Sequence, residues 1–177
     1  MEALIFLTDG FEEIEALATF DILKRGEVNV LLISLTKDKV VVGKHGVSVI
    51  VDCMFNDVDF VRAQMLILPG GSTNINEHAD LKRELVHFAG KGGKIAAICA
   101  APMVLGGLGL LNGKNATCYP GFEHYLAGAK ITNEAVVVDG NITTGRAAGD
   151  SIAFALELLN QIKCKETASK VALKILW

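Results

Sequence analysis

Nothing in this sequence pairs its cysteines. The four, Cys53, Cys99, Cys118 and Cys164, stand far apart, with no C-x-x-C and no cysteine–histidine spacing of the zinc-binding kind. No metal site is therefore expected. At 177 residues a disulfide scaffold is not expected either, and a reduced, cytoplasmic setting fits better. An excess of positive charge is also missing. Lys and Arg number 17 against 20 Asp and Glu, a net charge of −3, and no basic cluster is dense enough to track phosphates. That argues against a nucleic-acid partner. No basic leader precedes the apolar run at residues 3–7, which is too short for a signal segment. The longest uncharged stretch, residues 95–111, reaches only the low edge of bilayer-spanning length. Pro102, Gly106, Gly107 and Gly109 interrupt it, so no membrane span is expected. No G-x-G-x-x-G and no G-x-x-x-x-G-K-[ST] follows a strand, so a nucleotide cofactor has no motif behind it. G-x-S-x-G is absent too.

What is present is a core. Hydrophobic residues make up 51% and charged residues 21%, a globular composition with one domain, 1–177, as the expectation. The chain is organised around Gly92-Gly93-Lys94-Ile95-Ala96-Ala97-Ile98-Cys99-Ala100-Ala101-Pro102. Residues 95–98 read as a buried strand, and Pro102 suits the first turn of a helix, running to about Leu110. Cys99 then sits on a sharp strand-to-helix turn, facing a helix N-terminus that favours a thiolate. Free Cys is also among the most buried residue types and often acts as a small hydrophobe. The elbow context sets a reactive role beside that one.

Residues 3–7 read as a first buried strand, followed by a helix from Phe11 to Arg25 with Ile14, Leu17, Ala18 and Ile22 as its apolar stripe. Glu15 lies at the edge of that stripe, near the top of the sheet, and spacing alone favours a solvated side chain. Residues 28–35 form the second strand. Residues 40–42 and 47–51 form a ribbon, turned at Gly43-Lys44-His45-Gly46, with His45 solvated. Residues 65–68 form another strand, ending in Pro69-Gly70-Gly71, whose backbone N–H groups would suit an oxyanion hole. A helix over residues 80–91 carries Leu81, Leu85 and Phe88 inward, with Asp80 as its N-cap and His78 and His87 on the surface. Residues 135–139 and 142–144 form a hairpin. A helix over residues 150–162 carries the apolar residues Ile152, Phe154, Ala155, Leu158 and Leu159, and a terminal helix follows.

Apolar strands alternating with helices give an α/β fold: a doubly wound parallel sheet sandwiched by helices, flavodoxin-like in outline. Such sheets place ligands at the carboxyl ends of their strands, which brings Glu15, Gly70, Gly71 and Cys99 to one crevice.

Four stretches carry a resemblance: Asp9-Gly10-Phe11-Glu12-Glu13-Ile14-Glu15, Leu68-Pro69-Gly70-Gly71, Ala96-Ala97-Ile98-Cys99-Ala100-Ala101-Pro102 and Thr144-Gly145-Arg146-Ala147-Ala148-Gly149. In order and spacing they resemble the DJ-1/ThiJ/PfpI superfamily, in its DJ-1-like branch, over nearly the whole chain. The resemblance implies a class I glutamine amidotransferase-like sandwich and a homodimer. It implies a reactive Cys99, a Glu15 whose protonated carboxyl bonds the thiolate, and backbone oxyanion donors at Gly70, Gly71 and Ala100. Arg25, Arg146 and Tyr119 map to the pocket lining. The family suggests a cofactor-free glyoxalase or deglycase acting on glyoxal, methylglyoxal or early glycation adducts. As the alternative it suggests an oxidative-stress sensor or chaperone working through Cys99 oxidation, and below that an older link to thiazole phosphate (thiamine) synthesis, for which no phosphate loop speaks. Ala100 stands where the protease-like branch carries His, so peptidase activity is not expected. Tyr119 stands where several relatives carry His, which leaves Glu15 as the acid/base.

Overall fold

The uninterrupted apolar runs become strands because helices cover both of their faces. The computed structural model describes residues 2–177. In chain order the elements are β1 (Glu2–Leu7), α1 (Glu13–Arg25), β2 (Asn29–Ser34), β3 (Val40–Val42), β4 (Ser48–Ile50), β5 (Cys53–Met54), β6 (Ala63–Leu68), α2 (Ala79–Gly90), β7 (Lys94–Ile98), α3 (Pro102–Gly107), β8 (Asn115–Ala116), β9 (Lys130–Ile131), β10 (Val136–Asp139), β11 (Ile142–Gly145), α4 (Ser151–Ile162) and α5 (Lys165–Lys174). The main sheet has seven strands in the order β10-β11-β7-β6-β1-β2-β5. All its pairings are parallel except β10–β11, the expected hairpin. β3 and β4 form the expected antiparallel ribbon.

Two apolar layers flank the sheet. One gathers Ala3, Ile5, Leu7, Ile67 and Ile98 against α1, α4 and α5 through Ile22, Leu23, Phe154 and Leu158. The other gathers Leu4, Phe6, Leu66, Leu68 and Ala97 against α2 and α3 through Leu81, Leu85, Val104 and Leu105. Among the described residues no helix is long and apolar enough to cross a membrane.

Several local expectations are corrected. α1 starts at Glu13, not Phe11, because Phe11 is 1% exposed and bridges to Gly71. Its buried face is Glu13, Glu15, Ala16, Thr19, Ile22 and Leu23, while Ile14 is 56% exposed. The helix is rotated from its apolar stripe, and it presents two glutamates and a threonine inward. His78, half-buried against Phe55, caps α2 in place of Asp80: its Nδ1 accepts from the Leu81 N–H at 3.0 Å. α3 ends at Gly107, short of Leu110. His45 is exposed yet tied down, its Nδ1 2.8 Å from Glu13 Oε2.

Candidate active site

β1, β6 and β7 lie side by side, so their carboxyl ends open on one crevice. Cys99 follows β7 with φ 66°, a left-handed conformation that costs a non-glycine residue roughly 1–2 kcal/mol. Two backbone bonds hold it there: the Cys99 N–H donates to the Gly145 carbonyl at 2.9 Å, and the Tyr119 N–H donates to the Cys99 carbonyl at 2.8 Å. Pro102 then opens α3 at its first turn. Strain fixed on both sides makes this elbow the candidate functional position.

Glu15 comes from α1 and is 1% exposed. Its Oε2 accepts from the Gly70 N–H at 2.6 Å. Its Oε1 is buried with no hydrogen-bond partner. Burial raises its pKa to about 7, against the Gly70 N–H, the Cys99 thiol and Lys44, which favour the anion. The thiol lies beside it: a Cβ built on Gly70 would stand 2.9 Å from both Cys99 Cβ and Glu15 Oε2, and 3.0 Å from the Ala100 nitrogen. Only glycine leaves room for this nest.

The expectation of a low-pKa cysteine is corrected. Burial and the neighbouring Glu15 charge push the Cys99 thiol up to about 12, although the Ala100 N–H favours its anion. Each group's charge opposes ionisation of the other. A thiolate on Cys99 therefore requires that Glu15 hold the proton.

The remaining expected residues divide. Ala100 is at the sulfur through its backbone N–H. Gly71 closes the nest at φ 95°, where a Cβ would fall 2.4 Å from the Glu12 nitrogen. Gly70 is withdrawn as an oxyanion donor, because its N–H already serves Glu15. Arg25 sits in the last turn of α1, roughly 15 Å along the axis from Glu15, paired with Asp21 at 2.5 Å. It does not join the crevice. Arg146 follows the carbonyl that anchors Cys99, but its guanidinium binds Asp150 and the Asn133 carbonyl, each at 3.0 Å. Tyr119 touches the elbow through its backbone, and its side chain is 47% exposed.

Reading the sequence missed Lys44, Glu12 and Gly145. Lys44 and Glu12 both act on the charge of Glu15. Their only sequence signal was proximity to the Gly43 turn and the α1 start. Gly145 was visible only as a small residue in a quoted motif. Among the described residues one group has metal-ligand geometry, Glu12, Glu13 and His45, with ligand atoms within 4.8 Å of one another. Hydrogen bonding of the His45 ring and N–H to Glu13 accounts for it. Burial would raise the Glu13 pKa, but the His45 ring and the backbone N–H groups of His45 and Val47 hold it at about 2.

A parallel sheet with a strained cysteine elbow, a buried carboxyl partner and a glycine loop between them matches a known family. The model of the DJ-1/PfpI family matches residues 1–161, and the chain belongs to that family. It is 33% identical over 175 residues to Protein dj-1beta of Drosophila melanogaster, covering 96% of this chain and 94% of that one. It is 35% identical over 169 residues to a deglycase of Pyrococcus abyssi, covering 92% of this chain and 100% of that protein. Of Protein DJ-1 homolog B of Arabidopsis thaliana, 34% identical, it spans only 40%. The structures agree. Drosophila melanogaster DJ-1beta superposes with a TM-score of 0.93 at 32% identity, over 99% of this chain and 97% of that one. Oxidized Toxoplasma gondii DJ-1 superposes with a TM-score of 0.94 at 31% identity, over 99% and 98%.

Proposed function

We propose that this protein is a cysteine-dependent hydrolase of the glyoxalase or deglycase type, acting without a cofactor on glyoxal, methylglyoxal or early glycation adducts. The observation that carries this reading is Glu15: a fully buried carboxyl, one oxygen clamped and the other unpartnered, beside a strained thiol. A group with a pKa near 7 is suited to accept and return a proton at neutral pH. Cys99 Sγ adds to the aldehyde carbon and passes its proton to Glu15, which delivers it to the carbonyl oxygen. The product is a hemithioacetal. Glu15 then moves the proton on the former aldehyde carbon to the adjacent keto carbon, while the hydroxyl proton of the hemithioacetal passes to the keto oxygen, giving the thioester of a 2-hydroxy acid. Water cleaves the thioester and frees the thiol. Oxidation of one carbon balances reduction of its neighbour, so no redox partner enters. The deglycase relatives of the genus Pyrococcus favour the same chemistry. Wild type and Cys99→Ser are to be compared for methylglyoxal loss and lactate formation. Loss of turnover in the variant is expected, and equal rates refute the reading.

A second reading rests on the half-buried Cys99 sulfur, flanked by Glu15 and the Ala100 N–H. Peroxide would oxidise it stepwise to a sulfinate, making the protein a stress sensor or chaperone. Mass spectrometry after mild peroxide is expected to find the modification on Cys99. Even oxidation of Cys53, Cys99, Cys118 and Cys164 refutes it. For either reading we place a homodimer contact on the outer side of the β3–β4 ribbon, where Val40, Val42, Val47 and Ile50 are exposed, Ile50 by 77%. Ile50→Lys is expected to halve the sedimenting mass, and a wild type that sediments as a monomer rejects the contact.

A further inference from the structure

We propose that Thr144 is a positioning residue for Cys99: its buried hydroxyl fixes the segment whose N–H clamps the Cys99 carbonyl, and with the next residue, Gly145, it holds the strained elbow from both sides. This deepens the hydrolase reading. It rests on that reading for its effect on turnover, but not for its effect on the thiol.

A non-glycine residue stays at positive φ only where its surroundings over-determine it. At Cys99 two backbone bonds do so, and both trace to β11. The Cys99 N–H donates to the carbonyl of Gly145, the last residue of that strand, at 2.9 Å. The Cys99 carbonyl accepts from the Tyr119 N–H at 2.8 Å. Tyr119 belongs to no strand or helix, so something else must set its place. β8, paired with β9, ends at Ala116. At the next residue the Thr117 N–H donates to Thr144 Oγ1 at 3.0 Å, a buried bond between two residues that are each 1% exposed. Cys118 then packs into the apolar layer that holds Ala97 and Ala116, and Tyr119 follows. The register explains how one strand reaches both sides. Thr144 stands beside Ala97 and Gly145 beside Ile98, so β11 runs along the last two residues before the elbow.

The side chain suits the task. A valine would have the same shape and no acceptor for the Thr117 N–H. Branching at Cβ restricts rotation, which keeps Oγ1 aimed at that N–H. The neighbouring threonine gives the contrast. Thr143 is as deeply buried, but successive residues of a strand face opposite ways. Its Oγ1 accepts from Gln161 Nε2 at 2.9 Å. That contact ties β11 to α4 and does not pass through residues 117–119.

The consequence lies at the sulfur. Burial and Glu15 hold the Cys99 thiol far above its ordinary value, while the Ala100 N–H favours the anion. All three effects need Sγ where the elbow puts it. Once the Tyr119 N–H is released, the backbone of Cys99 relaxes toward negative φ and Sγ leaves Glu15. Cys99 then becomes a more ordinary thiol that has lost its proton acceptor.

Reactivity and turnover should therefore move in opposite directions. Alkylation by iodoacetamide at pH 8, read at each cysteine by mass spectrometry, needs no substrate. Thr144→Val is expected to raise the Cys99 rate about tenfold, the change in thiolate for one unit of pKa, and to leave Cys53 unchanged. In methylglyoxal turnover the same variant is expected to lower kcat about 10²-fold with KM nearly constant, as loss of alignment does. Thr144→Ser keeps the hydroxyl and is expected to stay near wild type in both assays. Thr143→Val is expected to leave the Cys99 rate in place. An unchanged or slower Cys99 rate in Thr144→Val overturns the proposal. So does an equal rise at Cys53, in Thr143→Val or in Thr144→Ser, because each would report general loosening. Should Thr144→Val not fold, amide hydrogen exchange of wild type decides. Thr117, Tyr119 and Cys99 are expected to open together, and free exchange at Thr117 beside protected Tyr119 and Cys99 overturns the role. A wild type that turns over no methylglyoxal removes the hydrolase reading, while the alkylation rates still decide this one.

Discussion

α1 and α2 pack against opposite faces of the same sheet, and they bury different kinds of residue. α2 hides Leu81 and Leu85, the positions its periodicity indicates. α1 hides Glu13, Glu15 and Thr19 and leaves Ile14 56% exposed. The hydrophobic effect alone would turn α1 the other way. What holds it is specific polar contact: Glu15 on the Gly70 N–H at 2.6 Å, and Glu13 on the His45 N–H at 2.6 Å. A helix that departs from its own apolar stripe marks where stability has been given up for a site. α2 buries the leucines of its own stripe, and α1 buries the carboxyl that the proposed function uses.

Four measurements break or sharpen that contrast. The largest effect belongs to α1. Glu15→Gln is expected to lower kcat/KM by about 10²–10⁴, the range for loss of a positioned acid/base. In wild type, kcat/KM is expected to rise with pH through about 7, because Glu15 must lose its proton before it can take the thiol's. A flat profile would show that the buried carboxyl is structural. The second belongs to α2: Leu85→Ala, at a position 0% exposed, is expected to cost about 2–5 kcal/mol in denaturant unfolding. A cost below that range would mean that α2 is not a core helix, and the contrast would collapse.

The third uses Glu15 as a stability probe. Its folded pKa of about 7 exceeds its ordinary value of 4.5. Below 4.5 both folded and unfolded chains hold the proton, and Glu15 contributes nothing. Between the two values the folded chain keeps a proton that the unfolded chain releases, so rising pH favours unfolding. The stability of Glu15→Gln relative to wild type is expected to grow by roughly 3 kcal/mol between pH 4 and pH 8. A constant difference would show that Glu15 is not held in a desolvated site. The smallest effect returns to α2, where His78→Ala removes the cap on Leu81 and is expected to cost about 1 kcal/mol by thermal unfolding. No loss there, with a loss in Asp80→Ala, would restore the cap that the sequence suggested.

The parallel sheet was legible because its strands are apolar without interruption, a pattern that only a doubly covered sheet explains. The meeting of Glu15, Gly70 and Cys99 was legible from topology, since β1, β6 and β7 had to end on one side. The allocation of contacts was not. Gly70 resembled an oxyanion donor, and its N–H is spent on Glu15. Arg25 and Arg146 resembled pocket bases. The first lies at the far end of α1, and the second is locked to Asp150. Arginines reach several ångströms, and their partners depend on what folds beside them, which one-dimensional spacing does not record.

By itself the sequence determined the layered α/β architecture, the elbow at Cys99 and the absence of an adjacent histidine base. These follow from local composition: apolar runs, glycine and proline punctuation, and the identity of residue 100. Only the tertiary structure decided that Glu15 is buried rather than solvated, that it stands beside Cys99, and that Arg25 and Arg146 are bound to other partners. Those properties depend on desolvation and on distances between groups far apart in the chain, and both are created by packing.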